Sequence, residues 1–152
     1  MTQEPTGYVR PELLADTDWL ETHLDDPNVR IIDCATFELY QKAHIRNAVG
    51  LQVNPFIKNA DDTLHVMPPD QFATLMGDLG VNSDTTVIAY DTAGGVPASR
   101  MWWVLNYYGH TNAKVLNGGW EKWFHDGLPI SREIPKFSAT TFTPVVEEKL
   151  LC

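Results

Sequence analysis

The segment Thr85-Thr86-Val87-Ile88-Ala89-Tyr90-Asp91 runs into the small-residue stretch Thr92-Ala93-Gly94-Gly95-Val96-Pro97-Ala98-Ser99, and this in turn into Arg100-Met101-Trp102-Trp103. A β-branched apolar run, a glycine loop and an aromatic helix in immediate succession predict a strand, a tight loop and a helix N-terminus. The unpaired N–H groups of such a loop and helix end form an anion cradle. An enzyme that uses a cradle of this kind places a nucleophile at the strand end. Here the strand ends in Asp91, whose carboxylate would repel the anions that the cradle attracts.

Similar units recur along the chain. Asp16 or Thr17 is placed to cap a short helix over Asp18 to Leu24, with Trp19, Leu20 and Leu24 on one face. Pro27-Asn28 breaks it, and Val29-Arg30-Ile31-Ile32-Asp33 reads as a buried strand. Phe37 to Ala43 reads as a helical segment and Ala48 to Val53 as a strand. Asn54 to Pro68 is rich in turn residues and predicts a long loop. Pro69 suits the first turn of a helix to Leu79, with Gly80 beyond its end. A helix from Pro97 to Tyr108, a last strand over Ala113 to Asn117 and a helix over Trp120 to Asp126 complete the series. The strands are short continuous apolar runs that alternate with helices. That pattern predicts an α/β fold, a central parallel sheet with helices on both faces, and a ligand crevice at the carboxyl ends of the strands. Asp33 and Asp91 both fall at such ends.

At 152 residues the chain fits one domain. Residues 1–15 read as an N-terminal arm, 16–131 as the domain and 132–152 as a linker toward a C-terminal domain. The tail carries Pro135, Pro144 and the polar run Ser138 to Thr141, and ends on Leu150-Leu151-Cys152, with a helix from Val145 to Leu151 as its one candidate element. The net charge of −9 argues against nucleic acid and anionic membrane surfaces as partners. No apolar run reaches the roughly 18–20 residues of a membrane span, and Met1 to Pro5 has no signal-peptide character. Cys34 and Cys152 make neither a disulfide framework nor a zinc pattern, so a cytoplasmic setting is expected. The five histidines have no metal-ligand spacing, and neither metal nor cofactor is expected.

Three stretches resemble the rhodanese, or sulfurtransferase, superfamily. Tyr40-Gln41-Lys42-Ala43-His44-Ile45-Arg46-Asn47-Ala48 is similar to its aromatic-x-x-x-His-Ile-Pro-Gly-Ala segment, with Arg46-Asn47 in place of Pro-Gly. Thr86 to Trp103 is similar to its strand, loop and Arg-x-Trp-Trp helix, and Val115 to Trp123 to its Val-Leu-x-Gly-Gly-x-x-x-Trp motif. The nearest likeness is to the N-terminal domain of tandem sulfurtransferases of the thiosulfate and 3-mercaptopyruvate types. The resemblance implies a domain whose nucleophilic cysteine lies in a second, catalytic domain, with an Asp, here Asp91, at the matching position of the first. It implies a possible small sulfur-containing anion as ligand, and a substrate-binding role for Arg46 as in some catalytic members.

The residues themselves point to structural duties. Asp91 has no catalytic role in this reading; it accepts N–H groups of the Gly94-Gly95 loop as a plug. An aspartyl nucleophile is the functional alternative, but the Lys, second acid and metal carboxylates of that chemistry are missing. Arg100 gains nothing from the helix dipole in its first turn, and an ion pair with Asp91, Asp33 or an acid across an interface would hold it. His44 is expected to be a hydrogen-bonded structural imidazole, Asp33 a tie between loops, and Cys34 a buried inert thiol. The tryptophans at 102, 103, 120 and 123, and Phe124, are expected in the core or against a second domain. A stand-alone, catalytically dead binding module remains the alternative to half of a tandem enzyme. A phosphatase would need a cysteine before the loop.

Overall fold

The computed structural model describes residues 13–52 and 66–145. In chain order its elements are β1 (Leu14–Ala15), α1 (Thr17–Thr22), β2 (Val29–Asp33), α2 (Phe37–Lys42), β3 (His44–Ile45) and β4 (Val49–Gly50). They continue with α3 (Pro69–Asp78), β5 (Thr86–Tyr90), α4 (Val96–Tyr107), β6 (Ala113–Leu116), α5 (Gly119–His125) and β7 (Ile130–Ser131).

Five strands form one parallel sheet in the order β1-β6-β5-β2-β4, among the described residues. Side chains alternate between its faces, as pleating requires. Ile32, Val87, Ala89, Ala113 and Val115 meet Phe72 and Met76 of α3 and Met101, Val104 and Leu105 of α4. Val29, Ile31, Ile88, Tyr90 and Leu116 meet Leu20 of α1, Tyr40 of α2 and Trp123 of α5. Both faces are covered, which is why β5 reads as an apolar run and β2 and β6 are interrupted by a single charged residue each, Arg30 and Lys114. β3 and β7 pair antiparallel, His44 opposite Ser131 and Ile45 opposite Ile130, as a separate ribbon.

The helix and strand positions follow the sequence reading closely, with differences at the margins. Leu14–Ala15 is an edge strand on β6, where an arm was expected. The strand expected over Ala48 to Val53 is cut to Val49–Gly50, the pair that registers with Ile32 and Asp33. Gly50 is needed there, because a Cβ would come within 2.6 Å of the Tyr40 ring. Asn47 has φ 72, a conformation that suits asparagine, and its Nδ2 donates to the Leu24 carbonyl (2.8 Å) and to Asp25 (3.0 Å). Trp19 leaves the buried face of α1 and stacks on His23, at 39% exposure. Of the aromatic residues expected in the core, Trp123 is fully buried and Phe124 is 58% exposed.

The largest difference lies after Ser131. The linker expected from its composition is, over residues 132–145, a strap packed on the domain. Phe137 lies under the Arg30 guanidinium at 3.5 Å. Thr140 donates its N–H to the Gly77 carbonyl (2.9 Å) and its hydroxyl to the Val81 carbonyl (2.6 Å). Phe142 is 5% exposed and meets Phe72 edge-on. The Val145 N–H reaches the Tyr108 carbonyl. Polar spacing hid these anchors, since no periodic pattern marks them. The loop expected over 54–65 with His65, the helix expected to Leu151 and Cys152 lie outside the described residues.

Candidate functional site

β5 delivers Asp91 to the carboxyl end of the sheet, beside the end of β2, and Cys34 donates its N–H across to the Tyr90 carbonyl at 2.7 Å. The loop then turns through Gly94 (φ 78) and Gly95 (φ 97), both left-handed, with nothing within 4 Å of where a Cβ would stand. The glycines therefore serve the backbone turn and not a close approach.

The cradle predicted from sequence is present, and Asp91 fills it. Its Oδ1 accepts the N–H groups of Ala93 (2.8 Å) and Gly95 (2.9 Å), and its Oδ2 accepts that of Ala98 (2.8 Å). The side chain is buried, with the residue 3% exposed. Gly95, at the N-cap of α4, has no side chain to cap the helix, and Pro97 has no N–H. The Asp91 carboxylate takes over the capping from four residues upstream, with its negative charge at the positive end of the helix. Its main-chain carbonyl accepts the Trp120 N–H (3.1 Å) at the start of α5.

Asp33 ends β2 next to it. It ties loops as expected, with Oδ1 accepting the Ala35 N–H (2.9 Å) and Oδ2 the Tyr90 hydroxyl (2.9 Å). The Tyr90 oxygen also accepts the Ile45 N–H (3.0 Å). Burial pushes the Asp33 carboxyl up to about 6, against those two hydrogen bonds and a nearby His44 charge, which pull it down; Asp91 adds to the rise. Burial likewise drives the Tyr90 phenol far up, helped by Asp33. Tyr90 escaped the sequence reading as a site residue; a Tyr one position before a strand-end Asp on a buried face was the available signal.

His44 is fully buried. Its Nδ1 stands 2.9 Å from the Tyr40 carbonyl and its Nε2 2.6 Å from the Glu133 carbonyl, and its ring stacks on Tyr40 at 4.0 Å. Arg46 is turned to Asp25, with a two-pronged pair at 3.0 and 3.4 Å on the protein surface. Arg100 carries its guanidinium carbon 5.2 Å from the centre of the Trp103 ring. Cys34 is buried and its thiol lies well above the ordinary range, first through burial and then through Asp33 and Asp91. A thiol so placed is a poor nucleophile. Among the described residues no group of three or more His, Cys, Asp or Glu is placed to hold a metal ion, and no helix is long and apolar enough to cross a membrane. Asp33, His44, Tyr90, Asp91, Gly94 and Gly95 thus surround one end of the sheet, while Arg46 faces Asp25.

Comparison with known proteins agrees with this architecture. Residues 16–126 match the rhodanese-like domain, and the chain belongs to the rhodanese family. It is 33% identical over 137 residues to the sulfur carrier protein TtuD of Thermus thermophilus, covering 86% of this chain and 46% of the relative. It is 34% identical over 122 residues to the 3-mercaptopyruvate sulfurtransferase of Escherichia coli K12, covering 73% and 43%. The crystal structure of SseA from Escherichia coli, described with the 3-mercaptopyruvate sulfotransferases, superposes with a TM-score of 0.79 at 28% identity, over 89% of this chain and 56% of that one. The chain spans a little under half the length of these two curated relatives.

Proposed function

We propose that this chain is the non-catalytic, N-terminal domain of a tandem sulfurtransferase. The whole protein would move sulfane sulfur from thiosulfate or 3-mercaptopyruvate to a thiol or cyanide acceptor. A cysteine thiolate of the C-terminal catalytic domain attacks the outer sulfur of thiosulfate or the thiol sulfur of 3-mercaptopyruvate. A bond forms to that sulfur while its S–S bond in thiosulfate breaks, releasing sulfite, or its S–C bond in 3-mercaptopyruvate breaks, the electron pair leaving on the pyruvate enolate, which takes up the thiol proton to give pyruvate. The resulting persulfide passes its outer sulfur to the acceptor and the thiolate returns. In this domain Asp33, His44, Asp91, Gly94, Gly95 and Arg100 shape the cleft end and pack toward the catalytic domain. Arg46 stays with Asp25. A cytoplasmic location fits this chemistry, since a reducing compartment keeps the thiol acceptor free.

The observation that carries the reading is the filled cradle. Both Asp91 oxygens are held by three loop and helix N–H groups, the donors that would otherwise stabilise a thiolate or an incoming anion. A carboxylate cannot form a persulfide, and the nearby Cys34 thiol is buried and held protonated. The relatives named sulfurtransferases, matched over less than half their length, support a partner domain.

The test is a pair of sulfur-transfer assays, with thiosulfate and with 3-mercaptopyruvate, on the wild type and on Asp91→Cys. The wild type is expected to show no turnover. Asp91→Cys, which puts a thiolate where the three N–H groups converge, is expected to show weak turnover that alkylation abolishes. Turnover by the wild type would overturn the reading.

A further inference from the structure

The stretch Val115 to Trp123 contains a peptide bond with chemistry of its own. Asn117 is followed by Gly118, and no other asparagine of the sequence has a glycine after it. The amide carbon of an asparagine side chain lies within a five-membered ring of the next residue's main-chain nitrogen. A Cβ on that next residue hinders the approach, and glycine has none. The fold itself fixes the glycine. Gly118 is the left-handed N-cap of α5 (φ 88), where a Cβ would come within 2.6 Å of the Lys122 Cδ. Its N–H lies past the end of β6 and before the first residue of α5, outside the hydrogen-bond series of either element. Asn117 and Gly118 are both exposed to water.

The same turn fastens the edge of the sheet. The Asn117 N–H donates to the Ala15 carbonyl (2.7 Å), which carries the β1–β6 pairing one residue further. Its Nδ2 donates to Asp16 Oδ1 at 3.4 Å, and Asp16 is the N-cap of α1. On the far side of the turn the Trp120 N–H reaches the Asp91 carbonyl (3.1 Å), and a Cβ on Gly119 would stand 3.0 Å from that oxygen. Among the described residues β1 is an edge strand of two residues, paired with β6 alone, so the loss of one tie is felt there.

We propose that Asn117-Gly118 is a modification site, which cyclises to a succinimide, opens mainly to isoaspartate, and thereby loosens β1 and the start of α1 from the cleft end of the sheet. The Gly118 nitrogen gives its proton to base and attacks the Asn117 Cγ. A C–N bond forms and closes the ring, while the Cγ–Nδ2 bond breaks and Nδ2 takes up a proton to leave as ammonia. Water then adds to one of the two ring carbonyls, and the bond from that carbon to the Gly118 nitrogen breaks, the nitrogen regaining a proton. Opening at Cγ gives aspartate. Opening at the main-chain carbonyl gives isoaspartate, with the chain running on through the side-chain carbon. Either product sets a carboxylate where an amide donor faced Asp16, and adds one negative charge to a chain already at −9. Like charges so close repel, the more so at low ionic strength. Isoaspartate also adds a methylene to the main chain, which displaces Gly118 and Trp120 from their places against Lys122 and Asp91. The inference concerns this domain alone and holds whether or not the chain serves a sulfurtransferase.

The test ages the whole chain at mildly acid and at mildly alkaline pH beside an unaged control, then digests it briefly with trypsin for mass spectrometry. The Val115–Lys122 peptide reports on Asn117. Fragmentation that cleaves the N–Cα bond tells isoaspartate from aspartate. Conversion is expected to pass through the ammonia-loss form and to rise with hydroxide. It is expected to run at least about tenfold faster than at Asn28 and Asn112, equally exposed but followed by Val29 and Ala113. The more acidic fraction, separated by anion exchange, is expected to exchange its amide hydrogens over residues 13–17 about tenfold faster than the unmodified chain, with the gap narrowing in salt. Asn117→Gln should block the conversion and keep the slow exchange. Asn117→Asp, which brings the charge without the extra methylene, should show a smaller acceleration. Conversion at Asn117 no faster than at Asn28 and Asn112, or a modified fraction that exchanges residues 13–17 like the unaged chain, would overturn the proposal. Both of those readouts come from the wild type, so they stand whatever the variants do.

Discussion

Two carboxylates end neighbouring strands of the same sheet, both nearly inaccessible, and the protein treats them differently. Asp91 at the end of β5 receives three main-chain N–H groups on its two oxygens. Asp33 at the end of β2 receives one N–H and one phenol, and burial pushes it up to about 6. Position at a strand end does not by itself set the character of a buried acid. What matters is whether the chain turns its own N–H groups back onto it. The glycine loop after Asp91 does so, and the Cys34-Ala35 turn after Asp33 does so only once.

The largest test of this contrast is Asp91→Ala. It leaves the N–H groups of Ala93, Gly95 and the buried Ala98 without their acceptor and uncaps α4, and is expected to cost about 2–4 kcal/mol in urea unfolding, with Asp91→Asn losing roughly half as much. An alanine cost below about 1 kcal/mol would mean that the cradle is wet or rearranges, and the contrast would fail.

The next test is pH. A carboxyl whose folded value is raised from 3.8 to about 6 binds its proton more readily when folded. Its stabilising contribution is complete below about 4 and is lost as the pH rises through about 6, to a total on the order of 2–3 kcal/mol. Asp33→Asn should flatten that window, so that the variant gains on the wild type between pH 4 and 6. The comparison is read from unfolding midpoints across the range. A steeper profile in the variant would reverse the assignment of strain to Asp33.

Tyr90→Phe sharpens the same point more gently. It removes a donor from Asp33 and an acceptor from the Ile45 N–H, and is expected to cost about 1–2 kcal/mol at neutral pH. The loss should be smaller at pH 4, where Asp33 is neutral and able to donate. The smallest effect is expected at Arg46, whose partner Asp25 is 75% exposed in its side chain. Arg46→Ala should leave the unfolding midpoint within experimental scatter at physiological salt. A clear loss would bring Arg46 into the cleft network after all.

The parts of the molecule that sequence reading captured share a physical signature. β2, β5 and β6 are mostly apolar and covered on two faces, and α3 and α4 repeat their apolar positions at helical spacing, so pattern and packing coincide. β1, β3 and β7 have two residues each, too few to show any period. The Asp91 plug was legible because its donors lie within seven residues of it. The Tyr90–Asp33 bond joins residues 57 apart, and the His44–Glu133 contact 89 apart. Such pairings depend on register between strands, which local composition does not encode. Arg46 was assigned by likeness to catalytic relatives, and no feature of its own segment pointed to Asp25, 21 positions earlier.

The strap has a practical consequence for anyone excising this domain. The family match stops at residue 126, yet a wall of the larger core is built by Phe142, and α3 is tied to Thr140 through Gly77. A boundary drawn at 126 or 131 from family likeness removes both. The resulting fragment would carry an open apolar trough alongside Phe72 and Tyr108, the kind of surface that drives aggregation during expression. Cutting beyond residue 145 keeps the trough closed by the chain's own next fourteen residues after Ser131.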